Sequence, residues 1–248
     1  GLRPDMRFVP LKSVEQQDIQ SLHRIRERYI HQRTQLINQV HGLLQEYGVI
    51  SGRGQKALKQ RVWRALEDAD NELSMLMRDL LAEQMTELDR LNERIQSLDK
   101  RVEQMSHAVG PCRQLLAIEG VGPVVATQLY SALGNGDAFK KGRQASAYLG
   151  LTPTQHSSGG IAKIKGIGRT GQVSLKAALI RGAHSVINTV GDKQDAKSRW
   201  LRSLVARVGK NKAAVALANK TVRTAWAVLH SGQSYCREFN DGSALMVS

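Results

Sequence analysis

Apolar residues follow a helical spacing through most of the chain. Val14, Leu22, Ile25, Tyr29, Leu36, Val40, Leu43 and Tyr47 fall on one stripe. Ser13 and Gln16 have the spacing of a capping box before it, and Gly48 marks its end. From Gln55 to Val109 the chain holds neither glycine nor proline, which predicts a second long helix. Its later part is heptadic. Leu81, Leu88, Ile95 and Val102 stand seven apart, and Leu91, Leu98 and Met105 take the second apolar position among charged residues. The seam suits a coiled coil with another chain, and an antiparallel pair with residues 13–47 satisfies much the same pattern.

Beyond Gly110 the texture changes. Glycines become common, acids rare, and prolines return. Short helices are predicted at 112–118, 123–134, 142–149, 172–190, 195–208 and 211–230, with a hairpin or irregular loop at 153–168. The expected fold is mainly α: long antiparallel or coiled-coil helices, then a compact helical domain with a helix-hairpin-helix. The segments are a short lead over 1–12, a long-helix region over 13–109 and a C-terminal domain over 110–248.

Composition sharpens this picture. Aromatics are only 4% of the 248 residues, which suits packed helices better than a β-sandwich. The two cysteines, Cys112 and Cys236, match no metal spacing, and no His-x-x-x-His pair occurs. A reduced, cytoplasmic protein with no metal site or cofactor in this chain is expected. No apolar run approaches the roughly 20 residues of a membrane helix. The net charge is +14. Residues 1–136 carry 18 Lys+Arg against 17 Asp+Glu, whereas residues 137–248 carry 18 against 5. A domain that basic repels itself unless it meets a polyanion, which points to nucleic acid.

Three stretches bear on chemistry. In "LLAIEGVGPVVATQLYSAL", Gly120 and Gly122 precede Pro123 at a helix start. Glycines there let the backbone turn tightly, and the amides of the second helix can hold a phosphate without reading sequence. A plain tight turn also fits. In "HSSGGIAKIKGIGR", Ser158 precedes Gly159 and Gly160, whose bare backbone admits a bulky phosphodiester. Lys163, Lys165 and Arg169 could neutralise a pentavalent transition state. No Ser-His-Asp set is evident, and residue types alone fit a connecting segment as well as a nucleophile. The third stretch is a basic helical tail, in which Trp200 suits either base stacking or the core. Carboxylates are nearly absent: from Ala138 to Arg223 only Asp192 and Asp195 are acidic. Two-metal phosphoryl transfer needs several.

With these stretches in order, the chain resembles transposases of the IS110 family, in particular the IS1111 group. The likeness runs from about Met6 to Tyr235, through "MRFVPLKSVEQQ", "LLAIEGVGPVVATQLYSALGNGDAFKKGRQASAYLGLTPTQHSSGG", "GRTGQVSLKAALIRGA" and "VALANKTVRTAWAVL". The resemblance implies a RuvC-like domain with DEDD acids and Mg²⁺, a coiled coil and a C-terminal transposase domain. It implies a serine nucleophile just before a glycine, here Ser158, with Ser157 the alternate. It also implies a phosphoserine–DNA intermediate and a bridge or seeker RNA that selects donor and target DNA. "MRFVPLKSVEQQ" normally follows the last DEDD acids, so the RuvC-like domain and its Mg²⁺ are expected outside the quoted chain. Ile167-Gly168-Arg169 stands where the family commonly has Ile-Ser-Lys, which leaves Arg169 for charge alone. Gly120, Gly122, Arg143, Gly159, Gly160, Lys163, Lys165, Arg169, Lys176 and Arg181 are the expected nucleic-acid contacts. The long helix is expected to join protomers into a homo-oligomer. The rival expectation is a coiled-coil module that binds nucleic acid without catalysis.

Overall fold

The computed structural model describes residues 11–50, 52, 54–158, 161–168 and 171–236, with the backbone alone at 155–158 and 161–165. Among these the fold is mainly α: nine helices and one two-stranded sheet. Two compact units divide it. One is Ser21–Arg101, and the other takes in the described residues before and after it.

Helix α1, Val14–Glu46, starts at the capping box the sequence predicts. The Gln16 amide donates to Ser13 Oγ at 3.2 Å, and the Ser13 amide donates to Gln16 Oε1 at 2.9 Å. It stops at Gly48, whose φ is +67°.

The predicted second long helix forms as two, α2 over Gln55–Glu67 and α3 over Met75–Ala108. The break lies in Asp68-Ala69-Asp70-Asn71-Glu72-Leu73-Ser74, whose short polar side chains compete for the backbone. Asp68 Oδ1 accepts from the Asp70 amide, Asn71 Oδ1 from the Leu73 amide, and Ser74 Oγ from the Met77 amide. Arg78 then clasps the break with all five of its N–H donors. They reach the carbonyls of Ala65, Leu66, Asp68 and Leu73 and Asn71 Oδ1, at 2.7–3.1 Å.

Within Ser21–Arg101, α1 and α3 run antiparallel. Arg26 bonds Asp99, and Arg33 bonds Asn92, so one number rises as the other falls. The heptad seam is buried inside the chain: Leu81, Leu88, Leu91, Ile95 and Leu98 are each at most 9% exposed. Leu81, Leu88 and Leu91 share a core with Leu36, Val40 and Leu44 of α1 and Leu58 and Val62 of α2. The antiparallel alternative therefore describes the seam. His23 is buried in this unit. Burial drives its imidazole down to about 4, Arg26 adds to the effect, and Asp99 opposes it.

The other unit holds α4 (Gly110–Leu115), α5 (Pro123–Leu133), α6 (Gly142–Tyr148), β1 (Pro153–Ser158), β2 (Ile161–Ile167), α7 (Val173–Asn188), α8 (Ala196–Val208) and α9 (Lys210–Ser231). All six predicted short helices and the hairpin lie close to their expected places. Helix α9 is the hub, packed by α4, α5, α6, α7 and α8. Its small buried residues, Ala213, Ala214, Ala218 and Ala225, let neighbouring backbones come close. The start of α1 belongs here too. Ser131 Oγ donates to the Gln16 carbonyl at 3.0 Å, Gln16 Nε2 to the Tyr130 carbonyl at 3.2 Å, and Tyr130 OH to Glu15 Oε1 at 2.7 Å.

Candidate functional site: the serine hairpin and its basic surround

The hairpin is rooted where two glycines meet. Gly150 and Gly171 have φ of +74° and +85°. A Cβ on Gly171 would lie 2.7 Å from the Leu149 carbonyl carbon and 2.9 Å from the Gly150 nitrogen. Only glycine lets the outgoing and returning chains touch this closely. Two side chains then hold the roots to the helical core. Asn219 Nδ2 of α9 donates to the Leu151 carbonyl at 3.1 Å. Lys176 Nζ of α7 donates to the Gly168 carbonyl at 2.6 Å. Lys176 is buried, 7% exposed, so a side chain expected to meet nucleic acid here anchors the exit of β2.

From this base the two strands pair antiparallel, with an irregularity between Pro153 and Gln155. Thr154 Oγ1 donates to the Gly166 carbonyl at 3.2 Å across the irregular part. Further out, His156 pairs with Lys163, Ser157 with Ala162 and Ser158 with Ile161. Ser158 is the last residue of β1, with two residues separating it from β2. Those two, Gly159 and Gly160, lie outside the described residues, as does Arg169. Lys163 and Lys165 are in β2. Arg143 on α6 and Arg181 on α7 are exposed.

The Gly120-Val121-Gly122 turn leads into α5, with Gly122 as N-cap and Pro123 in the first turn. Its two glycines have different surroundings. A Cβ on Gly120 would lie 2.8 Å from Val186 Cγ2 and 3.0 Å from the Gly182 carbonyl oxygen, and one on Gly182 would lie 2.2 Å from the Gly120 oxygen. Gly120 is thus accounted for by the approach of its turn to α7. Around Gly122 there is nothing within 4 Å. Beside this turn, Glu119 pairs with Lys197 at 2.8 Å.

Several cations of the basic tail are engaged locally. Arg202 donates to the carbonyls of Gly191 and Lys193, and Arg199 donates to that of Gln194. Asp195 caps α8 through the Ser198 amide. Trp200 packs against the core with Lys220 Nζ 4.9 Å from its ring centre. Cys112 is buried and its thiol is pushed up to about 12, first by burial and then by Glu15. A thiol so raised is no nucleophile near neutral pH. Asn219 and the paired glycines at 150 and 171 were not singled out from sequence. The glycines bracket the predicted hairpin and could have been found, whereas a polar residue inside a helix carries no such signal.

The family described as "Transposase IS116/IS110/IS902 family" matches residues 112–201, which include the turn and the hairpin. The chain is 42% identical to a Pseudomonas aeruginosa protein named "Probable family 20 transposase", over 94% of this chain and 69% of that one. It is 40% identical to the transposase for insertion sequence element IS1111A of Coxiella burnetii, over 94% and 64%. The transposase for insertion sequence element IS1328 of Yersinia enterocolitica is 29% identical, over 95% and 70%. The chain spans 64–70% of the length of these three relatives. Helical architecture, serine hairpin and extended similarity converge, and the chain belongs to the IS116/IS110/IS902 family of transposases.

Proposed function

We propose that the chain is the helical and C-terminal part of an RNA-guided DNA transposase in which Ser158 is the nucleophile. Its Oγ attacks a DNA phosphodiester. An Oγ–P bond forms, a P–O bond to one deoxyribose breaks, the serine proton leaves to solvent or a base, and the departing oxygen takes up a proton. The product is a phosphoserine link that conserves the bond for rejoining. The observation that carries the reading is Ser158 at the end of a strand rooted to the core by Gly171, Asn219 and Lys176. A nucleophile on a strand rooted to a packed core is held more precisely than one on a loop.

Lys163, Lys165 and Arg169 would screen the phosphate, and Arg143 and Arg181 would meet neighbouring backbone. The amides at the start of α5, past Gly122, would hold a further phosphate. The guide RNA rests on the family resemblance. Among the described residues no three of His, Cys, Asp or Glu converge, so these residues do not fit a Mg²⁺ site and no step here runs through one. Protomers that hold two DNA sites together would pair through a face other than the Leu81–Leu98 seam, which the chain itself buries.

The test uses the full-length protein with its element's RNA, donor and target DNA and Mg²⁺. Wild type should give a protease-sensitive protein–DNA band that Ser158→Ala abolishes and Ser157→Ala keeps. A band that survives both substitutions sinks the serine assignment. Intact recombination by Ser158→Ala would favour the non-catalytic module.

A further inference from the structure

Helix α2 has a composition unlike its surroundings. It carries Lys56, Lys59, Arg61 and Arg64 against one acid, Glu67. Leu58, Val62 and Ala65 face its core. On the remaining surface Trp63 is 47% exposed. It lines an open depression with Gln55, Lys56, Lys59, Gln60 and Arg64. Asp89 holds the Lys59 ammonium in place at the rim. Lys56, Arg61 and Arg64 form no ion pair among the described residues.

The start of the helix is electrostatically unfavourable. Lys56 stands in the first turn, where the macrodipole is positive. No acid offsets it there, and the N-cap Gly54 brings no side-chain acceptor. An arriving anion would relieve that repulsion. A large aromatic left half in water beside unpaired cations combines the two contacts a nucleotide offers, a π-face and a phosphate.

We propose that this face of α2 binds single-stranded nucleic acid, with a base stacked on the Trp63 indole and flanking phosphates at Lys56 and Arg64. Duplex bases are already stacked on one another and leave Trp63 without a partner. An apolar protein surface would gain nothing from the three cations, Lys56, Lys59 and Arg64, that line the depression with this ring. The assignment rests on the α2 patch and not on Ser158, which belongs to the other unit.

The experiment titrates the 248-residue chain into short labelled single strands of RNA and of DNA, and into the matching duplex. Tryptophan emission is followed in parallel. Trp63→Ala should weaken single-strand binding about 5- to 160-fold, as expected for loss of one stacked base. Trp63→Phe should retain most of it, Arg64→Gln should weaken it, and duplex binding should hold. The quenching seen with wild type should shrink in Trp63→Ala. Unchanged single-strand affinity and quenching in Trp63→Ala would overturn the proposal and turn attention to a protein partner on this face. Equal losses on duplex and single strand would also overturn it, since stacking would not be the cause. The duplex arm and the Ser158 covalent band report on the hairpin independently of this face.

Discussion

Glycines in this chain follow opposite physical rules according to what lies over their Cα atoms. Gly182, inside α7, has the Gly120 carbonyl oxygen where a Cβ would stand, at 2.2 Å. Gly42, inside α1, has nothing within 4 Å. Gly182→Ala should therefore destabilise by about 1–3 kcal/mol through overpacking. Gly42→Ala should stabilise by roughly 0.5–1 kcal/mol, because alanine has less freedom to lose. Urea unfolding of the two variants beside wild type decides it, and a shared sign would refute the packing account. From sequence the two glycines look alike, since each interrupts an apolar helical pattern. The Ser13–Gln16 box was legible because cap and partner are three residues apart. The reason for Gly120 was not, because its partner is a backbone atom on α7.

At the level of elements, predictions held where the signal was local. The six short helices have glycine, proline or capping residues near their ends, and the hairpin has glycines about its tip and root. The break between α2 and α3 carries neither glycine nor proline to mark it in the sequence. Asp68, Asn71 and Ser74 make it instead by accepting from nearby backbone amides. Arg78 gives the break a single point of failure. Arg78→Lys keeps the charge but loses the planar fork that meets five acceptors. It should lower stability by about 2–3 kcal/mol, and urea unfolding with hydrogen exchange across 65–78 reads that loss. A change under about 0.5 kcal/mol, the range of an ordinary surface substitution, would mean the clasp contributes little. The heptad was legible as a seam, but its partner was not. A seam specifies apolar burial, and the same leucines serve a neighbouring chain or the chain's own α1.

Across the whole molecule, charge is the property most plainly written in the sequence. The 18 cations against 5 acids of residues 137–248 include several now bound to loop carbonyls or to Glu119. The cations bound to carbonyls still act at a distance, because a hydrogen bond to a carbonyl removes no charge, whereas the Glu119 carboxylate offsets that of Lys197. Duplex DNA binding should consequently fall steeply with salt, with a log–log slope steeper than about −3 for four or more phosphates neutralised. Binding measured across a salt series checks this. A flat dependence would point to an acidic protein rather than nucleic acid.

The contacts of Glu15 and Gln16 with Tyr130 and Ser131 also order events during synthesis. A ribosome delivers the chain from its N-terminus, so the start of α1 emerges long before its partners exist. All of Ser21–Arg101 is made in that interval and can fold without waiting, since it is one continuous stretch. Once folded, it holds positions 20 and 102 at a fixed separation in place of a long slack loop. Closing Gln16 onto Ser131 then costs the entropy of a much shorter tether. Early folding of Ser21–Arg101 thereby shortens the tether across which the start of α1 meets Ser131.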